Sequence, residues 1–199
     1  MKITCKILIL LSITLIGCDF FSTRTPEPPD TGRSGFLPPT TASIVLTNFI
    51  NAIKDKNSEN FIACLSDTLT YNLNFSFVPS SEALVKFPGK FNIWNKNSEL
   101  RCFNSILASI KDNNSPNLVF SKSLNEFEIL TSDSAVFYSN YLLHIPHSKE
   151  NIPTEFEGTI QLTLNLYNQR WSISKWIDIS SMEDSLKFSW SILKASFSD

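Results

Sequence analysis

The apolar positions fall into three regimes. Ile7 to Ile16 is a ten-residue, predominantly apolar run. Residues 19–40 show neither a helical nor a strand period. From Thr41 onward, blocks of helical spacing give way to blocks of alternation. Thr40 or Thr41 can cap a first helix, along which Ile44, Val45, Phe49, Ala52 and Ile53 share a face. Asn57 or Ser58 opens a second, short helix carrying Phe61, Ile62 and Leu65. Leu69 to Val78 alternates, with Tyr71, Leu73, Phe75 and Phe77 on one side, and this predicts a half-buried strand. Pro79, Pro88 and Gly89 break the next stretch. Asn97 or Ser98 opens a further helix with Leu100, Phe103, Leu107 and Ile110 on one face, ending near Asp112 to Asn114.

The remainder reads mainly as strand. Leu118 to Leu130 is an irregular strand, followed by a turn at Ser132-Asp133-Ser134. Ala135 to Ile145 alternates, and Phe156 to Leu166 does so with Phe156, Gly158, Ile160, Leu162, Leu164 and Leu166 on one face. Asn168-Gln169 makes a tight turn into a last strand, whose alternation puts Trp171, Ile173, Lys175 and Ile177 together. Residues 186–197 form a short terminal helix or turn around Trp190, Ile192 and Leu193. Runs of helix followed by runs of strand predict an α+β domain, with N-terminal helices packed on an antiparallel sheet.

The N-terminal run is too short to span a bilayer, which takes about 20 apolar residues. Lys2 and Lys6 precede it, and Leu15-Ile16-Gly17-Cys18 closes it. Charge, apolar stretch and small residue are the parts of an export signal. With the cysteine in that position, the segment resembles a bacterial lipoprotein signal. That resemblance implies cleavage after residue 17, diacylation of Cys18 and acylation of the new N-terminus. Several acyl chains anchor stably where one is marginal. The implied location is the bacterial cell envelope. Asp19 resembles the inner-membrane retention signal of enterobacterial lipoproteins, a rule that other phyla do not follow, so inner and outer membrane both stay open.

Five of the ten prolines, Pro26, Pro28, Pro29, Pro38 and Pro39, lie between the cysteine and the domain. Residues 18–40 therefore read as a lipidated tether, extended in part as polyproline II. Phe36 and Leu37 are its best candidates for packing on the domain. Residues 41–199 form one domain, and a chain of that size buries about 68–70% of its unfolded surface.

Charge narrows the partners. The whole chain carries a net −2, and removal of residues 1–17 with Lys2 and Lys6 takes this to −4. Such a chain has no electrostatic footprint for nucleic acid and no attraction to anionic lipid. The expected membrane contact is the lipid on Cys18.

The segment KNSENFIACLSD (residues 56–67), the late hairpin and WSISKWIDI (residues 171–179) look like the nuclear transport factor 2-like fold, also called cystatin-like and cone-shaped. The resemblance spans roughly residues 41–195. It implies a strongly curved sheet that wraps a long helix and leaves a pocket. Enzymes of that superfamily use a pocket Asp or His as base and a Tyr or Asp as oxyanion donor. This chain offers Tyr71, Tyr138, Tyr141, Asp133, Asp178, His144 and His147, none of which matches such a set position by position. Asp178 reads as a solvated strand-end residue, and the two histidines as surface imidazoles. No catalytic set, metal site or cofactor is expected: five glycines are scattered, and no Gly-x-Ser-x-Gly elbow occurs.

The chain has 12% aromatic residues, and Phe75, Phe77, Trp94, Phe127, Phe137 and Tyr141 are candidates to line an apolar cone. Cys64 and Cys102 remain after the signal and lipidated cysteines are set aside. The export compartment permits a disulfide between them, and two buried thiols are the alternative. The function expected is a membrane-anchored, non-catalytic domain that binds an apolar small ligand or an envelope protein, a homodimer included. An isomerase, cyclase or dehydratase using the cone pocket is the alternative.

Overall fold

A computed structural model describes residues 35–111, 113–181 and 188–198. The expectations for the signal, for Cys18 and for the tether up to residue 34 lie outside the described residues, as do those for Asp112 and residues 186–187.

Helix α1 (Ala42–Lys54) starts where Thr41, in extended conformation, accepts a hydrogen bond from the Ile44 amide at 3.2 Å. Its buried face carries Val45, Leu46, Phe49, Ala52 and Ile53 and packs on strands β2 and β6, defined below. Helix α2 (Ser58–Ala63) is capped by Asn57, which accepts from the Asn60 amide at 2.9 Å. The chain just before α1 is pinned to the domain. Asn48 bonds both the amide and the carbonyl of Leu37, at 2.9 and 2.7 Å, and the Pro39 carbonyl accepts from the Trp171 amide. Phe36 packs against the core. Residues 36–39, assigned to the tether by their prolines, are thus held on the folded unit.

The strand expected over residues 69–78 is mostly absent. Asp67 caps helix α3 (Thr68–Tyr71) by accepting from the Thr70 amide, and Asn72 leaves it at φ 50. Alternation ceases to report a face once the backbone coils. Leu73 is exposed, while Tyr71, Phe75 and Phe77 are buried from different elements. Only β1 (Ser76–Val78) pairs, and it lies parallel to Lys175–Ile177. The stretch between the prolines holds helix α4 (Ser81–Lys86), capped by Ser80. Pro79 and Pro88 bound this helix rather than exclude it. Helix α5 (Lys96–Ala108) is capped by Asn95, which accepts from the amides of Asn97 and Ser98, two to three residues before the expected start.

The strand expected over residues 118–130 divides into β2 (Asn117–Phe120) and β3 (Ile129–Leu130), and both pair with β4 (Ser134–His144). β4, β5 (Glu155–Tyr167) and β6 (Arg170–Ser180) form an antiparallel meander. Asn168 and Gln169, both at positive φ, make the β5–β6 turn. The curved sheet runs β1-β6-β5-β4-β2, with β3 on β4. The fold is α+β: helices come first and pack on a sheet that is antiparallel except at its β1 edge.

One irregularity decides what faces inward. Thr163 pairs with Lys175, but Leu164 pairs with Ile173, so Ser174 has no partner. This extra residue reverses the alternation along β6. Trp171 and Ile173 are buried before it, and Trp176 and Asp178 after it. Lys175, expected on the inward face with Ile177, is exposed. The chain ends in helix α6 (Trp190–Phe197), which packs against α4, α5 and β5.

Candidate functional site

The bulge turns Asp178 into the core, where it is 2% exposed. One carboxylate oxygen accepts from the Tyr141 hydroxyl at 2.7 Å. The other accepts from the Ser191 amide at 2.6 Å and from the Ser191 hydroxyl at 2.5 Å. The Tyr141 hydroxyl in turn accepts from the Trp190 amide at 2.7 Å. Ser189, the residue before α6, makes no side-chain cap to its own helix. The first amides of α6 are satisfied from the sheet instead. A helix start presents unpaired N–H groups and a partial positive charge, and Asp178 with Tyr141 meets both. Ser80 extends the set: its amide donates to the Ser191 hydroxyl at 2.9 Å, and its hydroxyl lies 2.8 Å from that of Ser189.

Burial pushes the Asp178 carboxyl above the ordinary carboxylate range, against the lowering pull of its hydrogen bonds from Ser191 and Tyr141. Burial, and next the Asp178 charge, raise the Tyr141 phenol well above its usual value. The expectation of a solvated strand-end Asp178 is therefore corrected. A carboxylate and a phenol do converge within hydrogen-bond reach, and between them they hold the backbone amides of Trp190 and Ser191.

A second polar set lies beside the first. Glu99 on α5 and Lys194 on α6 are 2% and 1% exposed and form an ion pair at 2.5 Å. The same Glu99 oxygen accepts from the Trp94 indole at 2.7 Å. The Lys194 ammonium lies over the rings of Trp176 and Phe77, 3.4 and 3.6 Å from their centroids. Burial pulls Lys194 below the ordinary lysine range, and Glu99 opposes that pull. Sequence reading passed over both residues. The available signal was a lone Lys inside the apolar stretch WSILKASF, since a charge on a buried helix face needs a partner.

The six aromatic candidates do not line one pocket. Phe77, Phe137 and Tyr141 belong to the packed core. Phe137 meets Phe120 and the half-buried Phe127 edge-on, at 5.1 and 6.0 Å. The Trp190 ring from α6 sits against Trp176 at 4.5 Å and Tyr141 at 5.7 Å. Phe75 and Trp94 border two separate surface cavities. One, of about 470 Å³, is lined by Phe75 with Ser66, Asp67, Asn74, Lys96 and neighbouring residues. The other, of about 250 Å³, is lined by Trp94 and residues of α5 and α6.

Cys64 and Cys102 are free, buried thiols and not a bridge. Their sulfurs turn to different carbonyls, Asn60 at 3.3 Å and Lys194 at 3.5 Å. His147 is not a surface imidazole: it is 8% exposed. Its Nδ1 accepts from the Lys149 amide at 3.2 Å, which leaves Nε2 to donate to the Pro153 carbonyl at 2.9 Å. Among the described residues no group of three His, Cys, Asp or Glu is placed to hold a metal ion. No helix among them is long and apolar enough to cross a membrane.

No family model and no curated protein matches the sequence. Solved structures are similar to this chain. A nuclear transport factor 2-like protein from Cytophaga hutchinsonii is similar at 14% identity and a TM-score of 0.48, covering 69% of this chain and 93% of that one. A nuclear transport factor 2-like protein of unknown function from Shewanella oneidensis is similar at 12% identity and a TM-score of 0.44, over 68% and 93% of the two chains. A protein of unknown function with a cystatin-like fold from Nostoc punctiforme is similar at 10% and 0.45, over 71% and 90%. The chain is α+β by its own elements, and to these proteins it is similar over about 70% of its length.

Proposed function

We propose that the protein is a lipid-anchored lipoprotein of the bacterial cell envelope, whose domain binds a ligand or a protein and does no chemistry. The anchor rests on Lys2, Lys6, the apolar run and the Gly17-Cys18 junction. The observation that carries the domain's role is that Asp178 and Tyr141, the pair best suited to acid-base work, hold the start of α6. An acid or oxyanion donor has to reach the substrate, and here Trp190 and Ser191 stand in that place.

Two measurements test this. Cells given an alkyne-tagged palmitate should label the wild-type chain and not Cys18→Ser; equal labelling of both removes the anchor. The domain's role is read from the Asp178→Asn variant. A capping carboxylate predicts loss of about 1–3 kcal/mol in urea unfolding, because a buried donor is orphaned. A strained catalytic carboxylate predicts no loss or a gain.

One observation favours a second reading, an isomerase-, cyclase- or dehydratase-like enzyme. The 2.7 Å approach of Tyr141 to Asp178 is the geometry such chemistry uses. That reading requires α6 to leave, and a stabilising Asp178→Asn would support it.

A further inference from the structure

The cavity of about 250 Å³ lies where α5, α6 and the turn before α5 meet. Ser98, Arg101, Cys102 and Ser105 reach it from α5, at the spacing that puts residues on one helical face. Lys90, Ile93 and Trp94 come from the turn, and Phe197 and Ser198 from the end of α6. Three features make it a site rather than a surface dimple. First, it holds two cations, Lys90 and Arg101. Neither Lys90 nor Arg101 makes an ion pair among the described residues, and both are exposed. Arg101 is steered by a 3.3 Å hydrogen bond to the Ser98 hydroxyl. Second, its aromatic wall is fixed in advance: the Trp94 indole is tied to Glu99, which Lys194 clamps from behind. Third, the lining combines cations and hydroxyls with apolar surface, the last supplied by Ile93, Trp94 and Phe197.

We propose that this cavity binds a small organic anion, a carboxylate or phosphate monoester on an apolar body, with the anionic head on Lys90 and Arg101 and the body against Trp94. Ligand sites commonly enclose about 300–1,000 Å³; this cavity, at about 250 Å³, lies just below that range and takes a ligand of few atoms. Arg101 supplies forked donors that suit either oxyanion, and Lys90 a point charge. The inference names the ligand class for the binding-domain reading and rests on it. Palmitate labelling and Asp178→Asn are read independently, so the site can fail while that reading stands.

The test is calorimetric titration of the full chain in neutral detergent with phenyl phosphate, benzoate and uncharged benzyl alcohol. At least one anion should saturate one site at millimolar concentration or below, and the tighter of the two names the head group. The double variant Lys90→Gln/Arg101→Gln should bind that anion about tenfold more weakly or worse, since charge-assisted hydrogen bonds are lost. Its urea midpoint should be unchanged, both residues being exposed, and benzyl alcohol should bind weakly to both proteins alike. No saturation by either anion, or equal affinity of the double variant, overturns the proposal. So does benzyl alcohol matching the anions.

Discussion

Gly158 stands opposite Tyr141 across the β4–β5 ladder and leaves room for its ring. A Cβ at Gly158 would lie 3.0 Å from the Tyr141 hydroxyl and 2.5 Å from the Ile179 carbonyl. The backbone carbonyl belongs to the neighbouring strand and cannot swing aside. Gly158→Ala should therefore push Tyr141 off Asp178 and loosen the start of α6. Overpacking of this kind costs about 1–3 kcal/mol, measurable as a lower urea midpoint. An unchanged midpoint would mean that the sheet opens at β5 without disturbing the network.

The Glu99–Lys194 pair calls for a double-variant experiment. Lys194→Met alone leaves a buried carboxylate with only the Trp94 indole, and breaking such a pair costs about 3–5 kcal/mol. Glu99→Gln/Lys194→Met removes both charges and should recover most of that loss. Additive losses in the double variant would show that the two side chains act independently, against the 2.5 Å contact.

Tyr141 should remain a phenol while the fold persists. Its folded value lies above the ordinary one, so the stability it confers is complete below about pH 10 and is lost as pH rises toward the folded value. Tyrosinate absorbance of wild type and Tyr141→Phe should coincide through that range and separate only when wild type unfolds. A difference in the folded range would mean that water reaches the hydroxyl.

Cys64 and Cys102 should behave as buried thiols. Burial pushes both thiols up, out of the reactive range. In a chain with Cys5 and Cys18 replaced by Ser, a thiol-reactive chromophore should find no reactive group in the native state and two in urea without reductant. No reaction in urea would restore the disulfide.

What the sequence determined was local. Helical spacing and a cap at Thr40 or Thr41 and at Asn57 or Ser58 located α1 and α2, the structure choosing Thr41 and Asn57, and strict alternation located β4 and β5 together with their turn to β6. Each of these follows from neighbours a few residues apart, which is why period and capping chemistry were enough. The short elements escaped for the converse reason. Over residues 68–78 a cap at Asp67 and a left-handed Asn72 outweighed the alternation, and between Pro79 and Pro88 the proline signals marked the ends of a helix.

The site was decided by the tertiary structure alone. Period-two counting from Trp171 puts Asp178 outward, and one unpaired residue, Ser174, brings it inward. No local pattern announces that bulge, because it is a mismatch between two strands. Likewise, Asp178 and Ser191 lie 13 residues apart, Tyr141 and Trp190 49 apart, and Glu99 and Lys194 95 apart. Their hydrogen bonds hold only where the packing of α6 on the sheet excludes water. A chain carries no mark of which distant polar groups will be dried together until the fold has brought them into one place.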